Sequence, residues 1–509
     1  MTDQDTGSRA DPPVALAYAS ARGKWVLTAT VLGSGLAMLD GTVVNVALPR
    51  IGEDLGGGLT ALQWTLNAYT LTLSGLLLLG GSLGDRMGRR RVYIVGVLWF
   101  TLASVGCALA PSTGALIAMR ALQGAGAALL TPGSLAILQA SFRREDRSTA
   151  VGAWSGLGGV ATALGPIIGG VLVGLAPWGW RLVFLINVPI AVVVIVLARR
   201  YVPESRDEQA TGRLDVPGAV LASVGLGGLV YGLTEGPATG WPPVTVVITA
   251  AGAVLLGVFV LVESRTAEPL LPLGLFRSRQ FTAANLVTFA VYAALAGALF
   301  LLPVQLQLVA GFSPVAAGAA TLPITVMMLL LSARMGRLAA RIGPRLPMTV
   351  GPLVAALAMV WLSRVDAGAT YLGAVVGPML LFGLGLSITV APLTSTVLAA
   401  APDHQAGVAS AINNDVARVA GLIAVAVLPA LAGLTPAAYG DPALISAGFG
   451  RAVLIAGAVC AGGGLLALLT IRNPAPAADG EPAAEPHEHE DPALRCAACP
   501  VLTPHIKPR

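Results

Sequence analysis

The segment GSLGDRMGRRR at residues 81–91 places five charged side chains between two long apolar runs. These charges can be solvated only if the segment forms a tight hairpin at a membrane surface, joining two helices that cross the bilayer. A degraded copy, GRLAARIGPR at residues 336–345, again lies between two apolar runs. A loop that recurs in two halves of a helical membrane protein indicates parallel repeats with a binding site between them.

The composition supports a membrane protein. Of 509 residues, 55% are hydrophobic and only 11% are charged, and the mean hydropathy is +0.78. Soluble globular chains contain about 25% charged residues, so a soluble domain of this size could not hide so much apolar surface. The sequence therefore predicts an all-α polytopic membrane protein.

Spans of about 20 apolar residues are needed to cross a bilayer, and the sequence offers about fourteen of them. They fall near 25–46, 63–83, 92–110, 114–140, 149–174, 181–199, 215–235, 242–263, 281–303, 315–335, 346–363, 371–395, 408–432 and 450–471. An even number of spans places both termini on the same side of the membrane.

The order of the spans predicts two six-helix bundles with a two-helix hairpin inserted between them. The predicted parts are an N-terminal tail 1–24, a bundle 25–200, a loop 201–213, the hairpin 214–264, a loop 265–280, a second bundle 281–471 and a tail 472–509. The last tail is rich in Pro, Ala and Glu and is predicted to be disordered. Its His487, His489, Cys496 and Cys499 lack an ordered frame, so neither a metal nor another cofactor is expected.

The basic residues predict the orientation. One set of segments carries 25 of the 31 Lys and Arg residues. It comprises both tails and the loops near 84–91, 143–147, 199–213, 264–280 and 334–345. The positive-inside rule makes this side cytoplasmic, so both termini are predicted to be cytoplasmic in a multi-pass protein of the cell membrane. The net charge of +5 reflects this topology and does not indicate a nucleic-acid partner.

Several motifs resemble those of one family. The loop at 81–91 is similar to the signature loop of the major facilitator superfamily. Four further segments resemble motifs of its fourteen-span drug:proton antiporters: LDGTVVNVALP at 39–49, RALQGAG at 120–126, GPIIGG at 165–170 and WRLVFLINVP at 180–189. The resemblance covers residues 25 to about 471.

The resemblance implies a secondary active transporter that exports lipophilic drugs or antibiotics by proton antiport with alternating access. Its expected partners are protons, the lipid bilayer and a small lipophilic substrate that can be cationic, and it is expected to act as a monomer. The span near 315–335 contains no acid, which argues against divalent cationic substrates. A dedicated exporter of one metabolite is the alternative. A membrane-embedded enzyme or sensor is disfavoured because no nucleophile elbow, HExxH or nucleotide loop occurs.

Two charged residues inside spans are the predicted proton-coupling residues. Asp40 lies deep in the first span, where an ionised carboxylate is costly, so it can take up a proton and surrender it. Alternatively, Thr42 or Asn45 satisfies this carboxyl group. Arg120 must be paired or face water because arginine stays charged. The resemblance implies a role for Arg120 in proton coupling, and a structural pairing with backbone carbonyl groups remains the alternative.

The two related loops are predicted to form a cytoplasmic gate. It comprises Gly81, Asp85, Arg86, Gly88, Arg89 and Arg90 in the first copy and Gly336, Arg341 and Gly343 in the second. Gly84 and Gly88 are expected to permit the tight turn. Asp85 is expected to accept hydrogen bonds from a neighbouring helix N-terminus. The arginines are expected to pair with acids across the bundle, or to serve as a positive-inside anchor. Ala340 replaces Asp85 in the second copy, so any gate is asymmetric.

Two further spans carry candidate residues. The fifth contains Gly152, Gly165, Pro166, Gly169 and Gly170, which predict a bend and close helix contacts, although Ala161 replaces a glycine of the family pattern. The thirteenth contains Asn413, Asn414, Asp415 and Arg418. Asp415 and Arg418 are three apart and can pair on one helix face. Alternatively, Asp415 is a second acidic site facing Asp40. The predicted substrate cavity is bounded by Asp40, Asn45, Asn413, Asp415 and Arg418.

Overall fold

The computed structural model describes residues 15–206, 215–266, 269–402, 405–435, 438 and 440–473. These residues contain fourteen helices that are long and apolar enough to span a membrane. They are α1 Ala21–Leu55, α2 Leu59–Met87, α3 Arg89–Ala108, α4 Thr113–Ser141, α5 Arg144–Gly174, α6 Trp180–Tyr201, α7 Val216–Thr239, α8 Pro243–Glu263, α9 Arg279–Val309, α10 Pro314–Ile342, α11 Arg345–Leu362, α12 Tyr371–Ala399, α13 Ala406–Leu431 and α14 Pro442–Thr470. The predicted all-α architecture with fourteen spans is confirmed. The predicted tail 472–509 and its zinc-ligand candidates lie, but for residues 472 and 473, outside the described residues.

Local capping extends several helices beyond the apolar runs from which they were predicted. The hydroxyl of Ser20 accepts a hydrogen bond from the Gly23 N–H at 3.0 Å and begins α1. Gly56, with φ of 67°, ends the same helix. The carboxylate of Asp441 accepts from the Ala443 N–H at 2.8 Å, and α14 therefore begins eight residues before the predicted start of its span. Such caps satisfy amide groups that a helix end leaves free.

The predicted hairpin between the second and third spans is reduced to one residue. Helix α2 continues to Met87 and α3 begins at Arg89, with Gly88 between them at φ of 107°. Gly84, which was expected to help form the turn, instead lies inside α2. A left-handed φ is readily adopted only by glycine, so Gly88 alone makes the turn possible.

The first helix of each half lies at the centre of the molecule. In α1 and α9, 61% and 67% of the residues in the most apolar stretch are buried, compared with 11% in α8. Polar residues near the middle of α1, such as Asp40, and in the first turns of α9, such as Asn285, are therefore enclosed by other helices. The inserted α8 exposes most of its surface, as expected for a helix facing lipid.

The two halves meet at the helix ends remote from the arginine-rich loop. The Gln63 amide, one turn into α2, donates hydrogen bonds to the carbonyl groups of Val425 at 2.7 Å and Ala426 at 3.1 Å on α13. The Gln307 amide on α9 donates to the Val46 carbonyl on α1 at 3.0 Å. Since α2 ends at the arginine-rich loop, these contacts join the halves on the opposite face of the membrane.

The inserted hairpin of α7 and α8 contacts both halves. Its two helices approach closely at glycines, and a Cβ on Gly252 of α8 would lie 2.6 Å from the Leu229 nitrogen of α7. The Trp64 indole on α2 donates to the Glu235 carboxylate on α7 at 2.7 Å. Val230 of α7 packs in one apolar cluster with Leu422 of α13 and with Trp64. The hairpin therefore covers the junction between α2 and α13.

Candidate functional site

A buried ion pair joins α1 to α4. The Arg120 guanidinium donates from Nη1 to Oδ2 of Asp40, and both side chains are completely buried. Arg120 also donates from Nε to the Thr65 carbonyl group on α2 at 3.0 Å. A buried ion pair is tolerated only when its geometry is good and its remaining polar atoms find partners.

Neutral polar side chains complete this network. Gln123, one helical turn after Arg120, accepts from Arg120 Nη1 at 2.7 Å and donates to Asp40 Oδ1 at 2.8 Å. The Asn187 amide on α6 donates to Asp40 Oδ1 at 3.3 Å and to the Ser104 hydroxyl at 3.0 Å. Asp40 thus accepts hydrogen bonds from three side chains on two other helices. Asp40 therefore ties α1 to both α4 and α6.

Sequence reasoning found the two charged members of the network but missed Gln123, Asn187 and Ser104. The sequence did indicate two of them, because Gln123 lies in RALQGAG and Asn187 in WRLVFLINVP. A side-chain amide inside an apolar span needs a hydrogen-bond partner. The spacing of the motifs gave no indication of which partner it was.

The alternative partners considered for Asp40 bind elsewhere. The Thr42 hydroxyl donates to the Leu39 carbonyl at 3.1 Å and to the Thr162 carbonyl on α5 at 3.2 Å. Asn45 contributes to a cavity wall, and its Oδ1 is buried without a hydrogen-bond partner. For Arg120, both predicted kinds of partner occur together, a carboxylate and a backbone carbonyl.

Aromatic rings enclose the Arg120 guanidinium. Its central carbon lies 4.3 Å from the centre of the Tyr69 ring and 5.8 Å from that of Phe184. The Tyr69 hydroxyl donates to the Ala37 carbonyl on α1 at 3.2 Å, which fixes the ring. Cation–π contacts of this kind stabilise a desolvated cation. Nη2 of Arg120 is nevertheless buried without a hydrogen-bond partner.

A cavity of about 270 Å³ lies between the two halves. Its wall is formed by Gly41, Asn45, Leu66, Asn67, Tyr69, Thr70, Arg120, Tyr292, Leu295, Ala296, Leu299, Phe300, Ala417, Arg418, Gly421, Leu422 and Val425. Among the predicted cavity residues, Asn45 and Arg418 belong to this wall. The wall does not include Asp40, Asn413 or Asp415. Asp40 is nevertheless bound to a wall residue, since it pairs with Arg120.

The predicted residues of the thirteenth span have separate surroundings. The Asn413 amide donates to Asn285 Oδ1 at 3.1 Å and to the Thr288 hydroxyl at 2.7 Å, both on α9. Oδ1 of Asp415 is buried without a hydrogen-bond partner. Within the described part of the chain, Asp415 and Arg418 form no ion pair with each other. Asn414 is exposed and donates to the Ser410 carbonyl at 3.0 Å.

The first copy of the gate loop makes its contacts within its own half. Asp85 pairs at 2.8 Å with the side chain of Arg89, the first residue of α3, and among the described contacts it accepts no hydrogen bond from a backbone N–H of that helix end. The Arg90 N–H donates to Glu204 Oε1 at 3.0 Å, and its guanidinium donates to the Val202 carbonyl at 3.1 Å. The loop is therefore tied to the segment that follows α6.

The remaining residues predicted for the gate lie in or next to helices. Gly81 and Arg86 lie in α2, and a Cβ on Gly81 would be 3.5 Å from Pro132 of α4, an ordinary contact. In the second copy, Gly336 and Arg341 lie in α10, and Gly343 with φ of 83° follows its last residue. Among the described residues, Arg341 makes no ion pair, in contrast to Arg89 and Arg90.

The glycines of α5 separate into two groups. A Cβ on Gly169 would lie 2.8 Å from Val43 of α1, and one on Gly165 would collide with Thr42. One on Gly170 would collide with Pro314 at the start of α10, and Gly318 of α10 lies against the carbonyl group of Pro166. Nothing lies within 4 Å of a Cβ on Gly152. The GPIIGG segment thus packs α5 against both halves.

Comparisons with known proteins identify the family. Residues 30–425 match the model of the Major Facilitator Superfamily. The chain is 36% identical over 427 residues to the tetracenomycin C resistance and export protein of Streptomyces glaucescens, covering 83% of this chain and 79% of that protein. It is 38% identical over 421 residues to the puromycin resistance protein pur8 of Streptomyces alboniger, covering 82% of this chain and 83% of that protein.

Among solved structures, the chain resembles a bacterial homolog of the human lysosomal transporter Spinster in an inward-facing and occupied conformation. The TM-score is 0.65 at 18% identity, covering 90% of this chain and 100% of that chain. At this identity the likeness concerns the fold alone. The family match over residues 30–425 and the two relatives show that the chain belongs to the Major Facilitator Superfamily and is a membrane transporter rather than an enzyme.

Proposed function

We propose that this protein exports small lipophilic compounds from the cytoplasm in exchange for protons, acting as a monomer by alternating access. The observation that carries the proposal is the position of the Asp40–Arg120 pair. Asp40 is buried behind Arg120, and Arg120 forms part of the wall of the cavity between the halves. A proton that binds Asp40 and a substrate that binds beside Arg120 therefore both affect the same ion pair.

Protonation of Asp40 would disrupt this unit. The ionised carboxylate is the counterion of Arg120 and accepts from Gln123 and Asn187. Leaving a buried charge without its partner costs about 3–5 kcal/mol, so a proton on Asp40 favours a different arrangement of Arg120. The substrate binds while ionised Asp40 anchors Arg120 at the wall. Proton and substrate then exclude each other, as antiport requires.

The proton gradient supplies enough free energy for this exchange. A membrane potential near 100 mV gives about 2.3 kcal/mol per charge. Half a pH unit adds roughly 0.7 kcal/mol. At about 1.4 kcal/mol per factor of ten, one proton sustains a gradient of an uncharged substrate on the order of a hundredfold.

The proposed orientation places the arginine-rich loops and both termini in the cytoplasm. In this orientation the cavity is closed on its extracellular side. The closure is formed by the hydrogen bonds of Gln63 and Gln307 and by the contacts between α5 and α10. The Asp85–Arg89 and Arg90–Glu204 pairs lie at the cytoplasmic gate. Closing this gate would require the loop to exchange contacts within its half for contacts with the other half.

The names of the relatives support antibiotics as substrates, since one relative is a resistance and export protein for tetracenomycin C and another is a puromycin resistance protein. A dedicated exporter of a single compound is a second candidate. It is favoured by the polar side chains in the cavity wall, among them Asn45, Asn67 and Arg418, which can recognise one particular ligand. A purely polyspecific site needs fewer such groups.

Dye transport in everted membrane vesicles with an imposed pH gradient tests the proposal. We expect uptake of at least one lipophilic dye that an uncoupler abolishes, and its loss in Asp40→Asn. Asp366→Asn is the matched control, because Asp366 lies in an exposed turn after α11. Movement of several unrelated dyes would favour the polyspecific exporter, and movement of one compound the dedicated exporter. Transport by Asp40→Asn at the rate of the unchanged protein would refute the coupling role.

A further inference from the structure

The cavity wall carries two positive charges and no carboxylate. Its charged members are Arg120 on α4 and Arg418 on α13. Asp40 is completely buried behind Arg120, and Asp415 is not part of the wall. A ligand in the cavity therefore faces guanidinium groups from both halves. An organic cation would meet like charges without a compensating carboxylate at the surface it contacts.

Hydrogen-bond donors in this wall are left without partners. Arg120 Nη2 and Asn67 Nδ2 are both buried and unpartnered, on side chains that are at most 1% exposed. Among the described residues, no hydrogen bond or ion pair engages Arg418. More than nine-tenths of buried polar groups in folded proteins have partners, so such donors call for an explanation. A buried donor without a hydrogen-bond partner costs about 1–3 kcal/mol of stability. A ligand that supplies an acceptor removes this cost.

The rest of the wall is suited to an apolar ring system. Leu66 of α2 and Leu295, Leu299 and Phe300 of α9 contribute apolar side chains to the wall, and Tyr292 of α9 adds an aromatic ring. The volume of about 270 Å³ is close to the lower end of the range of about 300–1,000 Å³ typical of ligand pockets. The space suits a compact molecule of a few rings.

We propose that the cavity selects compounds in which an apolar ring body carries carbonyl or ionised oxygen acceptors, and discriminates against organic cations. The acceptors bind the donors of Arg120, Asn67 and Arg418, while the ring body packs against the leucines and Phe300. This inference rests on the proposed export function and specifies its substrate class. The family resemblance allows cationic substrates, whereas this inference favours substrates that carry hydrogen-bond acceptors.

Binding of two matched dyes to the purified full-length protein tests the proposal. Fluorescein methyl ester and the corresponding rhodamine methyl ester share one ring skeleton, and at mildly alkaline pH the first is an anion and the second a cation. We expect the anionic ester to bind at least about tenfold more tightly, the difference expected for one charge-assisted hydrogen bond. Fluorescence anisotropy measures both affinities without requiring transport.

Substitutions of Arg418 assign the preference to the cavity. Arg418→Gln should weaken binding of the anionic ester about tenfold and leave the cationic ester unchanged or tighter. Arg418→Glu should reverse the preference. Arg364→Gln is the control, since this arginine is exposed after the end of α11. Monodisperse elution and an unchanged melting temperature confirm that each variant is folded.

Two results would overturn the inference. One is equal or tighter binding of the cationic ester to the unchanged protein, and the other is the absence of binding of either ester to folded protein. The export proposal fails separately, if no dye moves in the vesicle assay under a pH gradient. Uncoupler-sensitive transport of the cationic ester, combined with its equal or tighter binding, would therefore leave proton-coupled export standing while excluding the proposed selectivity.

Discussion

Each half of the molecule contains an acid and an arginine within its spans, but their arrangements differ. In the N-terminal half, Asp40 and Arg120 come from different helices, 80 positions apart, and form an ion pair. In the C-terminal half, Asp415 and Arg418 share one helix and form no ion pair within the described residues. Asp415 and Arg418 are thus close in sequence but unpaired with each other, whereas Asp40 and Arg120 are distant in sequence and form an ion pair.

The difference separates two tasks. An acid that is the counterion of an arginine cannot accept a proton without changing the arginine's surroundings, which suits a coupling residue. An arginine with no partner at a cavity wall has its full donor capacity available for a ligand. We therefore propose that the N-terminal cluster handles protons and that Arg418 is the chief contact for substrate, with Arg120 taking part in both.

The largest expected effect comes from removing the charge of Asp40. Asp40→Asn keeps the shape of the side chain but leaves Arg120 without a counterion, and a loss of about 3–5 kcal/mol corresponds to more than about a hundredfold lower proton-driven transport. Asp415→Asn should retain most activity, since Asp415 has no ion pair to lose. Vesicle transport per folded molecule measures both. Equal losses in the two variants would erase the proposed distinction between the halves.

A second large effect is expected where α5 meets the start of α10. Gly170→Val introduces a side chain into the backbone of Pro314, and overpacking of this kind costs about 1–3 kcal/mol, so transport should fall about tenfold. Gly152→Val is the matched control, because its Cβ meets nothing within 4 Å. If Gly170→Val transports normally, close contact between the halves at this position is not required.

An effect of similar size is expected for Gln123, which links both members of the N-terminal pair. Gln123→Leu leaves a buried oxygen of Asp40 with one donor fewer, at a cost of about 1–3 kcal/mol. Transport should fall about tenfold, with a changed dependence on pH. Gln305→Leu, a buried amide in the other half, should lower the melting temperature without altering the pH profile. An unchanged profile in Gln123→Leu would show that the amide only supports the fold.

The smallest effect is expected at the gate loops. The Arg90–Glu204 pair has an N–O distance of 3.6 Å, and both side chains are about one-third exposed. Such pairs contribute about 0.2–1 kcal/mol, so Glu204→Gln should change transport less than about fivefold, and less still at high salt. Arg341→Ala in the second copy should have no measurable effect. A larger loss in Arg341→Ala would show that it pairs in another conformation.

The fold could be predicted because membrane spans leave a strong local signal. Each run of about 20 apolar residues becomes one helix, and all fourteen are present in the described residues. The helix ends were less predictable, since the cap at Asp441 and the one-residue turn at Gly88 depend on individual side chains and dihedral angles. Apolarity carries no information about either.

The site could be predicted only in part. Asp40 and Arg120 are conspicuous because charges within spans are costly, but their pairing depends on how α1 packs against α4, which no local pattern encodes. Asp415 and Arg418 show the converse limitation. A separation of three residues permits a pair, yet Arg418 instead contributes to the cavity wall. Tertiary packing decides which of the permitted contacts form.

Substrate-induced proton release by the purified protein tests the central claim most directly. A dye that is transported in vesicles is added to the protein in weakly buffered detergent solution, at a series of starting pH values that extends far enough into the acid range to protonate Asp40, and the pH change is recorded. The account predicts proton release by the unchanged protein and by Asp415→Asn, and none by Asp40→Asn. Undiminished release by folded Asp40→Asn would contradict it, because the exchanged proton would then reside on another group.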